Sequence, residues 1–179
     1  MNNDLQDDRL VLVFTGPAGA GKSTTARNLA KELGKCVDID IEHINYMIVE
    51  GFQHKMTSNG EDVLSFNKWD IAGDTIGALA DHFLNAGYRV IIHGHVTNEL
   101  LCSIENRTPI TYRILLLPGI ETVISRDKNR GEHLSMGESM VRQHYSYFTN
   151  DKWDSFIKID TTNDKVGSTI SKIRKIISI

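Results

Sequence analysis

The sequence predicts an α/β fold in which parallel strands alternate with helices, and three observations support this. Five short apolar runs are spaced along the chain, beginning at residues 10–14. Each run is followed by a segment whose apolar residues have helical spacing. The first run is apolar throughout, which is typical of a strand buried on both faces. Alternation of this kind favours a parallel sheet with right-handed crossovers.

The remaining strands and helices follow from the same periodicity. Further strands are predicted at residues 36–41, 88–92, 111–117 and 156–159. Helices are predicted at residues 22–33, 67–86, 98–105, 120–130, 137–148 and 164–177, and Thr162 or Asn163 is expected to cap the last helix. Ligands of open parallel sheets lie beyond the carboxyl ends of the strands, so the residues after each strand are the first candidates for a site.

Length and composition indicate one domain over residues 1–179, with residues 1–8 expected to be disordered. The net charge of −3 provides no broad basic surface, so no nucleic-acid partner is expected. No stretch approaches the roughly 18 apolar residues of a membrane span, and the acidic start is unlike a secretory signal. We therefore expect a cytoplasmic protein without a membrane partner, monomeric or homodimeric. Cys36 and Cys102 are expected to be thiols of the core.

A phosphate-binding loop is predicted between the first strand and the first helix. Residues 16–23 read GPAGAGKS and fit the pattern GxxxxGK[ST]. Its glycines allow successive backbone N–H groups to point at phosphates, above the positive end of the helix dipole. Lys22 is expected to reach the β- and γ-phosphates, and the Ser23 hydroxyl to hold Mg²⁺. The expected nucleotide contacts in this segment are Gly16, Ala18, Gly19, Ala20, Gly21, Lys22, Ser23 and Thr24.

Two charged clusters follow predicted strands. Asp38, Asp40 and Glu42 lie at the end of the second strand. A carboxylate there can orient an acceptor hydroxyl and take its proton during phosphoryl transfer. Arg126 and Arg130 are four residues apart on one helical face, where two guanidinium groups can clamp a polyphosphate and stabilise charge in the transition state. The alternative is that both clusters are solvated surface charges.

With these three motifs in this order, the chain resembles the small P-loop kinases of the gluconate kinase, shikimate kinase and chloramphenicol phosphotransferase type. The resemblance implies a nucleoside-kinase-like P-loop NTPase fold, a three-layer sandwich with a five-stranded parallel sheet and a small lid at about residues 126–136. It also implies ATP and Mg²⁺ as cofactors and a small-molecule hydroxyl as acceptor. Arg126 would then contact the nucleotide as part of the lid.

The resemblance leaves the acceptor-side carboxylate open. Asp38 and Asp40 form a DxD that is similar to one in shikimate kinase, whereas Asp40 and His43 form a DxxH that is similar to gluconate kinase. A register anchored on residues 44–47 instead gives Glu42 the acceptor-side position of the antibiotic phosphotransferases. Asp40 is also a candidate magnesium ligand. Lys22, Asp40, Glu42, Arg126 and Arg130 are the expected catalytic residues.

The acceptor pocket is expected between the second strand and the helix that begins near Trp69. Its candidate substrate contacts are His43, Tyr46, Trp69 and His95, whose rings combine apolar faces with polar tips. His93 and His95 flank Gly94 after the third strand and are expected to point to the same face.

Residues 36–88 contain no arginine. Shikimate kinase places a carboxylate-binding arginine in this region, so a shikimate-like substrate is disfavoured. The sequence thus predicts an ATP-dependent kinase that phosphorylates a gluconate-like sugar acid, a polyol or an antibiotic.

Two alternatives stay open. One is a nucleoside or nucleotide kinase on the same fold. The other is a regulatory nucleotide-binding module, whose slow hydrolysis would be indifferent to added hydroxyl compounds. The resemblance to the small kinases also implies that the lid and the loop at residues 160–163 lie near the base of the nucleotide.

Overall fold

In the computed structural model of this chain, the described residues are 9–50, 66–130 and 135–178, without the side chains of residues 66–70 and 151. The expectation for residues 1–8 and part of the expected lid therefore lie outside the described residues. No helix among the described residues is both long and apolar enough to cross a membrane.

Five parallel strands form one sheet in the order β2-β3-β1-β4-β5. The strands are β1 (Val11–Thr15), β2 (Cys36–Asp40), β3 (Arg89–His93), β4 (Tyr112–Leu116) and β5 (Ile157–Ile159). The helices are α1 (Lys22–Leu33), α2 (Ile41–Tyr46), α3 (Phe66–Asn85), α4 (Asn98–Glu105), α5 (Ile120–Lys128), α6 (Glu138–Tyr147) and α7 (Val166–Ile176). The predicted α/β fold with a five-stranded parallel sheet is confirmed.

Helices cover both faces of the sheet and give three layers. Along β1 the side chains alternate, so that Val11 and Val13 pack with α3 and α4, while Leu12 and Phe14 pack with α1 and α7. All of β1 is buried, as expected for the central strand of a parallel sheet. This packing fixes the carboxyl ends of the strands at one edge, where the candidate site lies.

The structure corrects three local predictions. Ile41, predicted as strand, begins α2 because the Asp40 side chain accepts a hydrogen bond from the Glu42 N–H and caps the new helix. The last helix begins after Lys165, and the Thr162 hydroxyl instead accepts a hydrogen bond from the Gly119 N–H at 2.7 Å. Cys102 is exposed on α4 and is not a core thiol.

Candidate active site

The loop between β1 and α1 has the backbone geometry of an anion cradle. Gly16 has a φ of 146°, and a Cβ there would clash with the Leu116 carbonyl oxygen of β4. Gly19 has a φ of 82° and passes close to α5. Gly21 precedes α1 and offers no capping side chain. The first N–H groups of α1 are therefore available to an anion, and the helix dipole favours negative charge there.

The Lys22 ammonium is held inside this loop. Its Nζ donates to the Gly16 carbonyl at 2.8 Å and to the Pro17 carbonyl at 3.1 Å. Burial lowers the pKa of Lys22 to about 8, while Glu42 and Asp40 act to raise this pKa and Arg130 acts to lower it. The acids of the second strand region and one arginine of the lid region are thus close enough to act on the same ammonium group.

Ser23 and Asp40 place two oxygen atoms near one imidazole. Ser23 Oγ lies 3.5 Å from His93 Nδ1, and Asp40 Oδ2 lies 4.0 Å from the same nitrogen. The other Asp40 oxygen caps α2 through the Glu42 N–H at 2.9 Å. Hydroxyl and carboxylate oxygens are the hard donors that Mg²⁺ prefers.

Ser23 and Asp40 could bind magnesium only together with a bound nucleotide, which would supply further ligands. Within the described ranges no group of three or more His, Cys, Asp or Glu side chains could hold a metal ion alone. Magnesium sites commonly use one or two protein oxygens and take their other ligands from phosphates and water. Ser23 and Asp40 are suited to that arrangement.

Arg126 and Arg130 line a pocket beside the phosphate loop. The prediction that both lie on one helical face is wrong, because α5 ends at Lys128 and Arg130 lies in the turn that follows. The pocket has a volume of about 460 Å³ and lies between the loop, the end of α5 and the segment between β5 and α7. Arg126 Nη2 donates to the Thr161 carbonyl at 2.9 Å, which ties α5 to that segment. Arg130 is exposed, on the side of the site that faces Lys22. Thr24 also lines the pocket.

Thr161 gives the pocket a polar group that lacks a partner. Its side chain is buried, with 2% exposure, and its hydroxyl has no hydrogen-bond partner among the residues described. A buried polar group without a partner is costly. The position of residues 160–163 near a nucleotide base stays a prediction.

The expected acceptor contacts are divided between two places. Glu42, His43 and Tyr46 are exposed on α2, and Tyr46 is 66% exposed. The Trp69 backbone lies in α3, but its side chain is outside the described residues. His95 instead packs against Tyr147 and Phe148, near the end of α6.

The expectation that His93 and His95 share a face is wrong. His93 pairs in register with Asp40 and contacts Ser23, on the α1 side of the sheet. His95 contacts α6, on the other side. The strand ends at His93 and Gly94 has a φ of 149°, so the alternation of an extended strand stops there.

His144 is a residue of the site that the sequence does not indicate. The Ala18 N–H of the phosphate loop donates to His144 Nδ1 at 3.3 Å, and His144 Nε2 lies 3.3 Å from His95 Nδ1. Burial, and secondarily the charge of Lys22, lower the pKa of His144 to about 4. A histidine within an ordinary amphipathic helix carries no sequence signal of a contact 126 residues away.

Comparisons with known proteins agree with this geometry. A family model described as an AAA domain matches residues 12–145. A sugar kinase from a Janibacter species is 17% identical with a TM-score of 0.72, covering 96% of this chain and 95% of that chain. A tunicamycin resistance protein from Deinococcus radiodurans is 15% identical with a TM-score of 0.71, covering 96% of each chain. Thymidylate kinase from Candida albicans is 16% identical with a TM-score of 0.61, covering 96% of this chain and 92% of that one.

The family match includes the phosphate loop, the acids at the end of β2, Arg126 of α5 and Arg130 just beyond that helix. The structural likenesses extend over nearly all of the chain and show the same fold. The chain therefore belongs to the AAA domain family and has the fold of the P-loop kinases.

Proposed function

We propose that the protein is an ATP-dependent phosphotransferase that moves the γ-phosphoryl group to a hydroxyl of a small metabolite or antibiotic. The observation that carries the proposal is the geometry of the phosphate loop, whose carbonyls hold the Lys22 ammonium, next to a Ser23 hydroxyl and an Asp40 carboxylate that lie near one imidazole. Glu42, Asp40 and Arg130 also affect the pKa of Lys22. Phosphoryl transfer depends mainly on positioning and on stabilising charge, and this arrangement supplies groups for both.

The nucleotide is held by the phosphate loop and the pocket beside it. The loop N–H groups and Lys22 bind the phosphates, and the Ser23 hydroxyl and Asp40 carboxylate provide oxygens for the metal. When bound with the nucleotide, Mg²⁺ neutralises charge on the β- and γ-phosphates. Arg126 and Arg130 add positive charge beside the phosphate loop, where it can stabilise the charge that develops in the transition state.

Glu42 is the carboxylate best suited to the acceptor. Asp40 is committed to the cap of α2 and to the Ser23 side of the site. Glu42 is exposed and, of the two carboxylates, has the larger effect on the pKa of Lys22. In the proposed step the acceptor oxygen forms a bond to the γ-phosphorus while the bond from that phosphorus to the β–γ bridging oxygen breaks. Glu42 takes the hydroxyl proton, and ADP leaves.

The purine base is proposed to occupy the pocket near Thr161. The unpartnered Thr161 hydroxyl supplies a hydrogen-bonding atom there, and Arg126 closes one side. A protein that uses Mg-ATP and carries two free thiols is suited to the reducing cytoplasm, which we propose as its location.

The acceptor class is proposed to be a polyhydroxylated compound, such as a sugar acid, a polyol or an antibiotic. The similar proteins include a sugar kinase and a tunicamycin resistance protein, which fits this class. The likeness to thymidylate kinase favours a nucleotide acceptor as the second candidate. Against it, residues 36–88 contain no arginine that could hold an acceptor phosphate.

An acceptor panel tests the proposal. ADP release from Mg-ATP is measured with sugars, sugar acids, polyols, nucleosides, nucleotides and hydroxylated antibiotics, with mass detection of the products. We expect stimulated turnover with one polyhydroxylated class and a product that gains one phosphoryl group. A phosphorylated nucleotide would select the second candidate. Tight ATP binding without stimulation by any class would contradict both and indicate a regulatory module. The control is Lys22→Ala, which should remove the stimulated rate.

A further inference from the structure

His93 is a buried imidazole inside the candidate site. It ends β3 and is 1% exposed. Its two ring nitrogens face different groups. Nε2 lies 3.0 Å from Asp38 Oδ1, whereas Nδ1 lies 3.5 Å from Ser23 Oγ and 4.0 Å from Asp40 Oδ2. The ring therefore separates Asp38 from the Ser23 hydroxyl.

The contact with Asp38 determines which nitrogen carries the hydrogen. A carboxylate can only accept, so a ring nitrogen 3.0 Å from it is stable as an N–H donor. The N–H does not point straight at Oδ1, and neither atom has another hydrogen-bond partner among the residues described. Each is thus the available partner of the other, and contacts of this kind often tighten when a ligand binds.

A hydrogen on Nε2 leaves Nδ1 with a lone pair. That lone pair accepts from a hydroxyl, so the Ser23 O–H is a suitable donor to it. It repels a second acceptor, which agrees with the greater distance of the Asp40 oxygen, 4.0 Å against 3.5 Å for Ser23 Oγ. The order of the two distances is that expected for an unprotonated Nδ1.

We propose that Asp38 and His93 form a positioning pair for the Ser23 hydroxyl. Asp38 holds His93 as the Nε2–H tautomer, and His93 Nδ1 accepts the hydrogen of the Ser23 hydroxyl. The lone pairs of the Ser23 oxygen are then directed at the magnesium ion of a bound Mg-nucleotide. The proposal rests on the proposed nucleotide site and deepens it, because it names the residues that orient a metal ligand from behind.

The proposal also divides the three acids of the β2 end by role. Asp38 lies at Nε2 of His93, with Arg27 Nε at 4.0 Å from its other oxygen. Asp40 lies on the Nδ1 side of the ring, with Ser23. The pair thus assigns Asp38 to His93 and Asp40 to the metal side, which leaves Glu42 for the acceptor.

The tautomer can be measured directly in the unmodified protein without nucleotide. Long-range ¹H–¹⁵N spectra of protein with ¹⁵N-labelled histidine show which ring nitrogens carry a hydrogen, and His93→Gln identifies the His93 signal by its loss. We expect a hydrogen on Nε2 and none on Nδ1. A hydrogen on Nδ1 alone would overturn the proposal, whether or not the protein binds ATP.

Two matched variants test the two ring nitrogens of His93 separately. The Asn in His93→Asn keeps an acceptor near the position of Nδ1, and the Gln in His93→Gln keeps a donor near the position of Nε2. Calorimetry gives the factor by which Mg²⁺ tightens binding of a non-hydrolysable ATP analogue. We expect this factor to be smaller by about tenfold or more in His93→Gln than in the unmodified protein. In His93→Asn we expect the factor to stay within about threefold of its value in the unmodified protein.

Asp38 has its own matched pair. We expect Asp38→Ala to reduce the magnesium factor, and Asp38→Asn, whose amide oxygen still accepts, to restore most of it. The control His82→Gln changes an exposed histidine of α3 and should leave the factor unchanged. Thermal unfolding confirms that each variant is folded.

The outcomes distinguish this proposal from the proposed function. Equal factors in His93→Asn and His93→Gln, with analogue binding intact, would overturn the positioning pair and leave the nucleotide site standing. Failure of the unmodified protein to bind the analogue with or without Mg²⁺ would overturn the nucleotide site, and the purpose of the pair with it.

Discussion

The two sides of the candidate site are built differently. The proposed nucleotide side is formed by residues 16–23, Arg126 and Thr161, of which residues 16–20 and Thr161 are buried. The proposed acceptor side, formed by α2, presents Glu42, His43 and Tyr46 from a helix of six residues, and these side chains are exposed. Nucleotide contacts thus depend on the fold, whereas acceptor contacts depend on side chains that can change without disturbing the core.

This difference explains why the similar proteins indicate the fold of this chain but not its acceptor. A sugar kinase and a thymidylate kinase share the fold of this chain at 17% and 16% identity. Their printed names give different acceptors, although the fold is common. The comparison predicts that changes on the nucleotide side affect every reaction of the protein, and that changes on the acceptor side affect transfer alone.

Replacing the loop lysine should have the largest effect. Lys22→Ala removes the ammonium that the loop carbonyls hold and that the β- and γ-phosphates would contact. We expect acceptor-stimulated turnover to fall about 100-fold or more, because stabilisation of transition-state charge is lost. Turnover and analogue affinity are measured together, with Lys31→Ala on the exposed face of α1 as control. Unchanged turnover would contradict the role of the loop.

Replacing the acceptor-side acid should separate transfer from binding. Glu42→Gln keeps the size of the side chain but cannot take a proton. We expect acceptor-stimulated turnover to fall about 100-fold while the affinity for the ATP analogue stays within about twofold. The control is Glu32→Gln, at an exposed position of α1. If Asp40→Asn shows this separation and Glu42→Gln does not, the acceptor carboxylate is Asp40.

The pocket hydroxyl should discriminate nucleotide from bare phosphate. Thr161→Val removes the hydroxyl at nearly constant volume. We expect the affinity for ATP to fall about tenfold, the value of one hydrogen bond, and the affinity for tripolyphosphate to stay unchanged. Calorimetry with both ligands checks this, with Thr149→Val as the exposed control. Equal losses for both ligands would place the base elsewhere.

The smallest expected effect concerns stability in acid. The pKa of His144 is about 4 in the folded protein against 6.5 ordinarily, so the unfolded chain binds more protons between these values. The free energy of unfolding should therefore decrease as the pH falls from 6.5 to 4, by up to about 2–3 kcal/mol from this group. Denaturant unfolding at pH 7 and pH 4.5 should show a smaller decrease in His144→Gln. Equal decreases would show that His144 does not titrate in this way.

The elements that can be predicted from the sequence are those whose motif residues are contiguous in the chain. The apolar run and GxxxxGKS predict β1, the cradle and α1 because strand, glycine turn and helix are contiguous in sequence. Arg126 and Arg130 do line the pocket, because the segment that follows β4 begins at the carboxyl edge of the sheet.

The rest depends on contacts between distant residues. His144 reaches Ala18 across 126 positions, and no periodicity indicates that contact. Gly94 ends the alternation of β3, so His93 and His95 lie on opposite sides of the sheet. The sequence does not predict α2 or its capping by Asp40, because a helix of six residues has too few turns to show a periodic pattern.

The fate of the γ-phosphoryl group tests the central claim most directly. ATP labelled in the γ-phosphate is incubated with the protein and the acceptor class found in the panel, and label is measured in the phosphorylated acceptor and in inorganic phosphate. We expect most of the label to reach the acceptor, and Glu42→Gln to remove this transfer while leaving analogue binding intact. Label found only in inorganic phosphate, at a rate independent of acceptor, would contradict the proposed phosphotransferase.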